Sequence, residues 1–208
     1  MARIVLLSFF LVLSLTVGML AQSLPTNVQS EEYQVYDAAI RKMFAGDKVT
    51  FDTQAKLKQI LIRDRTITDY ASGSKKENWQ QVKIRIPKLA EDTIAGYETN
   101  LKGPTDLKPN FDLPLKYYLL TSKEYETIFT NPNNMDPATD DWSKFYIKYP
   151  ESGGYISLSN VGYNNARDQA LVYFVHWCGM LCGTGNYLLL SKDETGWKVD
   201  TVAMIWIS

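Results

Sequence analysis

The stretch from Gly154 to residue 208 constrains the fold more than any other part of the chain, because it reads as four strand-like runs: YISLSNV, QALVYFVHW, NYLLLSK and WKVDTVAMIWIS. In the second run, alternation puts Leu171, Tyr173, Val175 and Trp177 on one face and Ala170, Val172, Phe174 and His176 on the other. Both faces are therefore largely apolar, as expected of a strand inside a sheet with cover on each side. Upstream helices supply one cover; loops, aromatic side chains or a second sheet layer supply the other. The expected fold is α+β: a single domain with an antiparallel β-meander at the C terminus, and N-terminal and central short helices packed on the sheet.

The upstream segments fit that plan. Ser30 followed by Glu31 and Glu32 starts a helix, along which Tyr33, Tyr36, Ile40, Met43 and Phe44 recur at steps suited to one buried face, and Gly46 ends it. VTFDTQ and LKQILIRDRTITDY read as strands, ASGSKKEN as a polar loop, and residues 79–103 as two short helices divided by Pro87. LPLKYYLLT is a further strand, Ser122 caps a helix over KEYETIF, and the loop NPNNMDPATD leads to an aromatic helix, DWSKFYIKY.

A chain of 208 residues that is 45% hydrophobic buries one sizeable core and leaves little for a second. Residues 1–21 are set apart from it. They carry Arg3 as their only charge and an apolar stretch from Ile4 to Leu15, which reads as a signal peptide cleaved near Ala21-Gln22 in preference to a retained anchor. Residues 22–29 form a flexible leader, and residues 30–208 form the domain. The formal net charge is −1 and the charges are mixed along the chain, so neither a nucleic-acid groove nor a polybasic membrane patch is suggested. The expected location is periplasmic or extracellular, with no stable membrane insertion after cleavage.

The sharpest chemistry lies in HWCGMLCGTGNYLLL, where the only two cysteines, Cys178 and Cys182, follow the only histidine, His176. If Trp177 ends one strand and Asn186 begins the next, both cysteines lie in the connecting loop, with Gly179, Gly183 and Gly185 easing its turns. A disulfide closing that loop is the favoured reading for an exported chain. A metal site using His176, Cys178 and Cys182 is a weaker candidate, although soft sulfur suits Cu(I). The C-x3-C spacing with a separate histidine resembles the copper-carrying assembly proteins of thioredoxin fold. The cysteines of that family precede a helix, whereas Cys182 leads into a strand-like run. A catalytic dithiol lacks an obvious neighbouring cation to stabilise a thiolate. No G-x-S-x-G elbow is present, and Asp64, Asp168 and Asp200 read as ordinary acids at strand ends and turns.

SLSNVGYN, QALVYF, CGMLCGTGNYLLL and GWKV together resemble an uncharacterised family of small exported bacterial proteins, and the order of the segments upstream is similar too. That family has no established activity or catalytic residues, so the resemblance implies single-domain export and a fold grouping, with no mechanism.

Thirteen tyrosines and five tryptophans supply the other functional class. Tyr117, Tyr118, Trp142, Tyr146 and Trp206 are candidates for a binding surface, since aromatic side chains offer apolar area with a polar handle. The sequence therefore favours a non-catalytic binding or envelope-interaction module without a cofactor, whose partner is a small molecule or an envelope protein. The alternative is a redox or copper-handling protein centred on Cys178, Cys182 and His176.

Overall fold

The computed structural model describes residues 29–44, 58–68, 79–129 and 140–208. The expected signal peptide, most of the leader, the Gly46 helix stop, the VTFDTQ strand, the ASGSKKEN loop and residues 131–139 lie outside them. The first described element is α1 (Glu31–Phe44), with Glu31 and Glu32 at its N-terminal end and Arg41 and Lys42 in its last turn, the arrangement that complements a helix dipole. Gln29, assigned above to a flexible leader, is anchored: its Nε2 donates to Asp37 Oδ2 at 2.6 Å and to the Asn110 carbonyl at 2.7 Å.

β1 (Gln59–Arg63) is shorter than the sequence suggests, since residues beyond it make only the isolated bridges of Arg65 and Ile67. α2 (Trp79–Arg85) and α3 (Glu91–Asn100) flank Pro87 as expected. β2 (Lys116–Leu120), α4 (Ser122–Phe129) and α5 (Asp141–Lys148) follow. Thr121, not Ser122, caps α4: Glu124 N–H donates to Thr121 Oγ1, and Thr121 N–H donates back to Glu124 Oε2. This reciprocal pair is a capping box, and it frees Ser122 to donate its N–H and its hydroxyl to Asp64. Asp140 caps α5 by accepting from Ser143 N–H.

The C-terminal strands are β3 (Ser152–Leu158), β5 (Gln169–Gly179), β6 (Cys182–Asp193) and β7 (Gly196–Ile207), with a two-residue strand, β4 (Gly162–Tyr163), that the sequence did not suggest. They are antiparallel neighbours, as expected, and β4 pairs with β5. Gly196 (φ 112°) occupies the left-handed position after the Glu194-Thr195 turn, where Asp193 accepts from Thr195 N–H.

The sheet as a whole is mixed, with order β2-β1-β3-β5-β6-β7. β1 runs parallel to both β2 and β3, so the expectation of an antiparallel sheet holds for the meander alone. The reason is the helical connections, which return the chain to the end of the sheet from which β1 began.

Helices cover both faces. Alternation in β5 sends Ala170, Val172 and Phe174 towards Tyr36 and Ile40 of α1, and sends Leu171, Tyr173 and Val175 towards Val82 of α2, Ile94 and Tyr97 of α3, and Ile86 between the two helices. On that second face, α4 and α5 build a separate cluster in which Ile128, Phe145 and Tyr149 pack on Leu61, Leu120 and Tyr155. Each such side chain contributes roughly 1.5–3 kcal/mol by leaving water.

Two features lock α3 to the sheet. Gly96 and Gly162 bring helix and strand into backbone contact: a Cβ at Gly162 would lie 2.3 Å from Tyr97 Cα, and one at Gly96 would lie 2.1 Å from the Tyr163 carbonyl oxygen. Beside them, Asn160 accepts from Thr66 Oγ1 at 2.7 Å and donates to the carbonyls of Asn100 (2.7 Å) and Gly103 (2.9 Å). The side chain thereby satisfies carbonyl groups that the end of α3 leaves without helical partners. Thr66 also accepts from Thr105 N–H, which ties the segment after β1 into the same network.

Candidate functional site

The two helical clusters on the shared face leave a gap, and the sheet between them forms the floor of a groove of about 500 Å³. Arg63 of β1, Tyr155 and Ser157 of β3, and Val175 and Trp177 of β5 make the floor, with Tyr155 opposite Trp177 and Ser157 opposite Val175 across the strands. Tyr125, Phe129 and Trp142 form an aromatic wall, while Ile67, Gly179 and Met180 complete the lining. The wall is mutually packed: Phe129 meets Trp142 edge-on at 5.1 Å, and Trp142 stacks on Tyr155 at 5.8 Å with an interplanar angle of 10°. Such contacts hold the rings in place before any ligand arrives. Burial, followed by the neighbouring Tyr125, pushes the Tyr155 phenol well above its ordinary pKa, so it stays protonated.

Among the described residues, Arg63 is the one charged residue of the lining. Its guanidinium carbon lies 3.6 Å from the centroid of the Tyr125 ring, a cation–π contact. Its Nε is buried and has no hydrogen-bond partner among the described residues.

The hairpin that carries the cysteines borders this groove through Gly179 and Met180. β5 and β6 extend further than the sequence suggests, so Cys178 and Cys182 sit at the paired strand ends and only Met180 and Leu181 form the turn. The expectation that both cysteines lie in a loop is corrected on that point: Gly183 and Gly185, expected there too, pair with Trp177 and Val175 and so continue the ladder to the hairpin tip. The sulfurs are within disulfide distance and the Cα atoms are 5.0 Å apart, inside the range a disulfide spans. Tyr146 donates its hydroxyl to the Cys178 carbonyl at 2.9 Å, tying α5 to the hairpin. Thiol titration of purified protein should find no free thiol before reduction and two after. Cys178→Ser with Cys182→Ser should lower stability by about 2 kcal/mol or less, since the ring is short, as read from the urea midpoint.

His176 lies on the opposite face of the sheet. Its Nε2 is 2.7 Å from the Gly153 carbonyl, so that nitrogen donates, and its ring meets Phe44 edge-on at 5.7 Å. Among the described residues no group of three His, Cys, Asp or Glu side chains is placed to hold a metal. Burial holds the imidazole below its ordinary pKa, against the opposing pull of the Gly153 hydrogen bond. The unfolded chain therefore binds this proton more readily than the native one, and stability falls as pH drops from about 6.5 towards the lowered native value. Because His176 is the only histidine, His176→Gln should flatten the pH dependence of the urea midpoint between about pH 7.5 and pH 5.5, relative to the parent protein.

The five aromatic candidates separate. Trp142 lines the groove and Tyr146 stands behind it, with ring centroids 6.0 Å apart. Trp206 does not reach the lining; it packs against Trp177 at 4.9 Å and donates its indole N–H to the Tyr173 hydroxyl. Tyr117 packs on Phe111 beneath α1, on the far face. Tyr118 lies near the sheet edge and donates to Glu124, whose carboxylate pushes the phenol up to about 12. Burial works against Glu124's ionisation, yet hydrogen bonds from Lys148, Thr121 and Tyr118 hold its carboxyl down at about 2.

The three acids considered above serve local roles. Asp64 accepts from Ser122, Asp168 from Asn164 at 2.7 Å, and Asp200 from Ser191 at 2.9 Å. Arg63, Tyr125, Phe129, Tyr155, Trp177 and Met180 were not singled out from the sequence. For Arg63 a signal existed: alternation in QILIR puts it on the same face as Leu61, a position that favours burial over solvent.

Compared with protein-family models, with curated proteins and with solved structures, the chain matches none.

Proposed function

We propose that this is an exported, non-catalytic binding module that takes a small, largely apolar molecule in the groove between the α2–α3 and α4–α5 clusters. The observation that carries the reading is the groove itself: about 500 Å³, floored by a rigid sheet and walled by Tyr125, Phe129 and Trp142. Small-molecule sites are usually of this size and character, concave and apolar with few polar groups. A small molecule fits the concavity better than an envelope protein, whose docking surface is typically broader. The apolar N-terminal stretch and the cysteine pair at disulfide distance support export. The copper or redox alternative draws less support, because His176 is directed to Gly153 on the other face and the two sulfurs face one another.

The reading is tested with N-phenyl-1-naphthylamine, a neutral apolar dye whose emission rises in apolar surroundings. Purified protein should bind it saturably at one site, and Trp142→Ala should weaken binding at least tenfold while the far-ultraviolet circular dichroism is unchanged. Absence of saturable binding, or undiminished binding by a folded Trp142→Ala variant, would rule the groove out.

A further inference from the structure

Resting on the groove as the binding site, we infer that its ligand carries a carboxylate, held by the guanidinium of Arg63, with an aromatic or apolar body lying against Trp142, Phe129 and Trp177. The other four described arginines each meet an oxygen acceptor: Arg41 meets Asp112, Arg65 meets Asp106, Arg85 meets the Met204 carbonyl and Arg167 meets Glu31. Arg63 forms no ion pair among the described residues, and its Nε is buried without a partner.

A guanidinium does not shed its charge on burial, so the donor must find an acceptor from elsewhere. The contact with Tyr125 stabilises the cation through the ring face, and it accepts none of the N–H hydrogens. No described residue accepts from its terminal nitrogens either, and it is the edge these form, not the buried Nε, that an acceptor lying in the guanidinium plane would meet. A carboxylate matches that edge with two parallel hydrogen bonds. Among the described residues the rest of the lining bears no charge, neither an acid to compete for Arg63 nor a second cation to balance a dianion. That composition fits a monoanionic carboxylate better than a phosphate ester.

The inference is tested with a matched pair of probes, 1-naphthaleneacetate and its neutral amide, titrated into the purified protein by calorimetry at pH 7.5. The wild-type protein should bind the acid at least about tenfold more tightly than the amide, equivalent to about 1.4 kcal/mol. Arg63→Met and Arg63→Gln should each abolish the preference, so that acid and amide bind the same variant with equal affinity. Equal binding of acid and amide by wild type overturns the carboxylate and leaves the groove reading standing, whereas an acid preference that survives in either folded variant overturns Arg63 as the group that holds it. Binding of neither probe, together with failure of the dye, overturns both. If both Arg63 variants fail to fold, the acid-to-amide ratio of the wild-type protein decides by itself.

Discussion

Gly162→Ala should destabilise the protein by at least about 3 kcal/mol, at or beyond the upper end of ordinary overpacking. The added Cβ would sit 2.3 Å from both Cα and Cβ of Tyr97 and 2.5 Å from its backbone nitrogen. No rotamer change relieves contacts with main-chain atoms, so α3 must withdraw from β4. Withdrawal uncovers Ile94 and Tyr97, which are buried against Leu171 and Tyr187. Gly103 provides the control, because a Cβ there meets nothing within 4 Å. Gly103→Ala should shift the urea midpoint little, Gly162→Ala should shift it strongly, and similar shifts for the two would contradict the packing argument.

Asn160→Ala should cost about 2–4 kcal/mol through a different mechanism, the abandonment of buried and half-buried polar groups. It removes the acceptor of the Thr66 hydroxyl and the donors to the Asn100 and Gly103 carbonyls. Each group left without a partner out of water costs roughly 1–3 kcal/mol. Asn160→Asp should be no milder, since it sets a carboxylate against the two carbonyl oxygens that the amide formerly served. A double-mutant cycle with Thr66→Ala should return a coupling of about 0.5 kcal/mol or more, whereas additive losses would show that the two side chains act independently.

The C-terminal half was legible in the sequence because its information is local. Alternation in QALVYFVHW identified an interior strand, and both of its faces are indeed covered. Pro87 and the helical spacings around it marked α2 and α3 for the same reason. What escaped was non-local. Nothing in QILIR states that β1 runs parallel to strands far along the chain, and the shift of the helix cap from Ser122 to Thr121 depends on Asp64 claiming Ser122. The groove is of this second kind. Trp142 drew attention by composition, yet Arg63, Tyr155 and Trp177 meet only after three strands from different parts of the sequence have paired. Tyr117 shows the converse: an aromatic residue beside another in sequence, sent by strand alternation to the far side of the sheet.

The parallel pairing of β1 also orders events in time. β5, β6 and β7 find one another through two-residue turns, at little loop-closure entropy, and can assemble early. β1 must wait for Lys116 on one side and Ser152 on the other. On loop-closure grounds the floor on which Arg63 lies beside Tyr155 should be among the last parts of the molecule to form, so binding in the groove should report a chain that has finished folding.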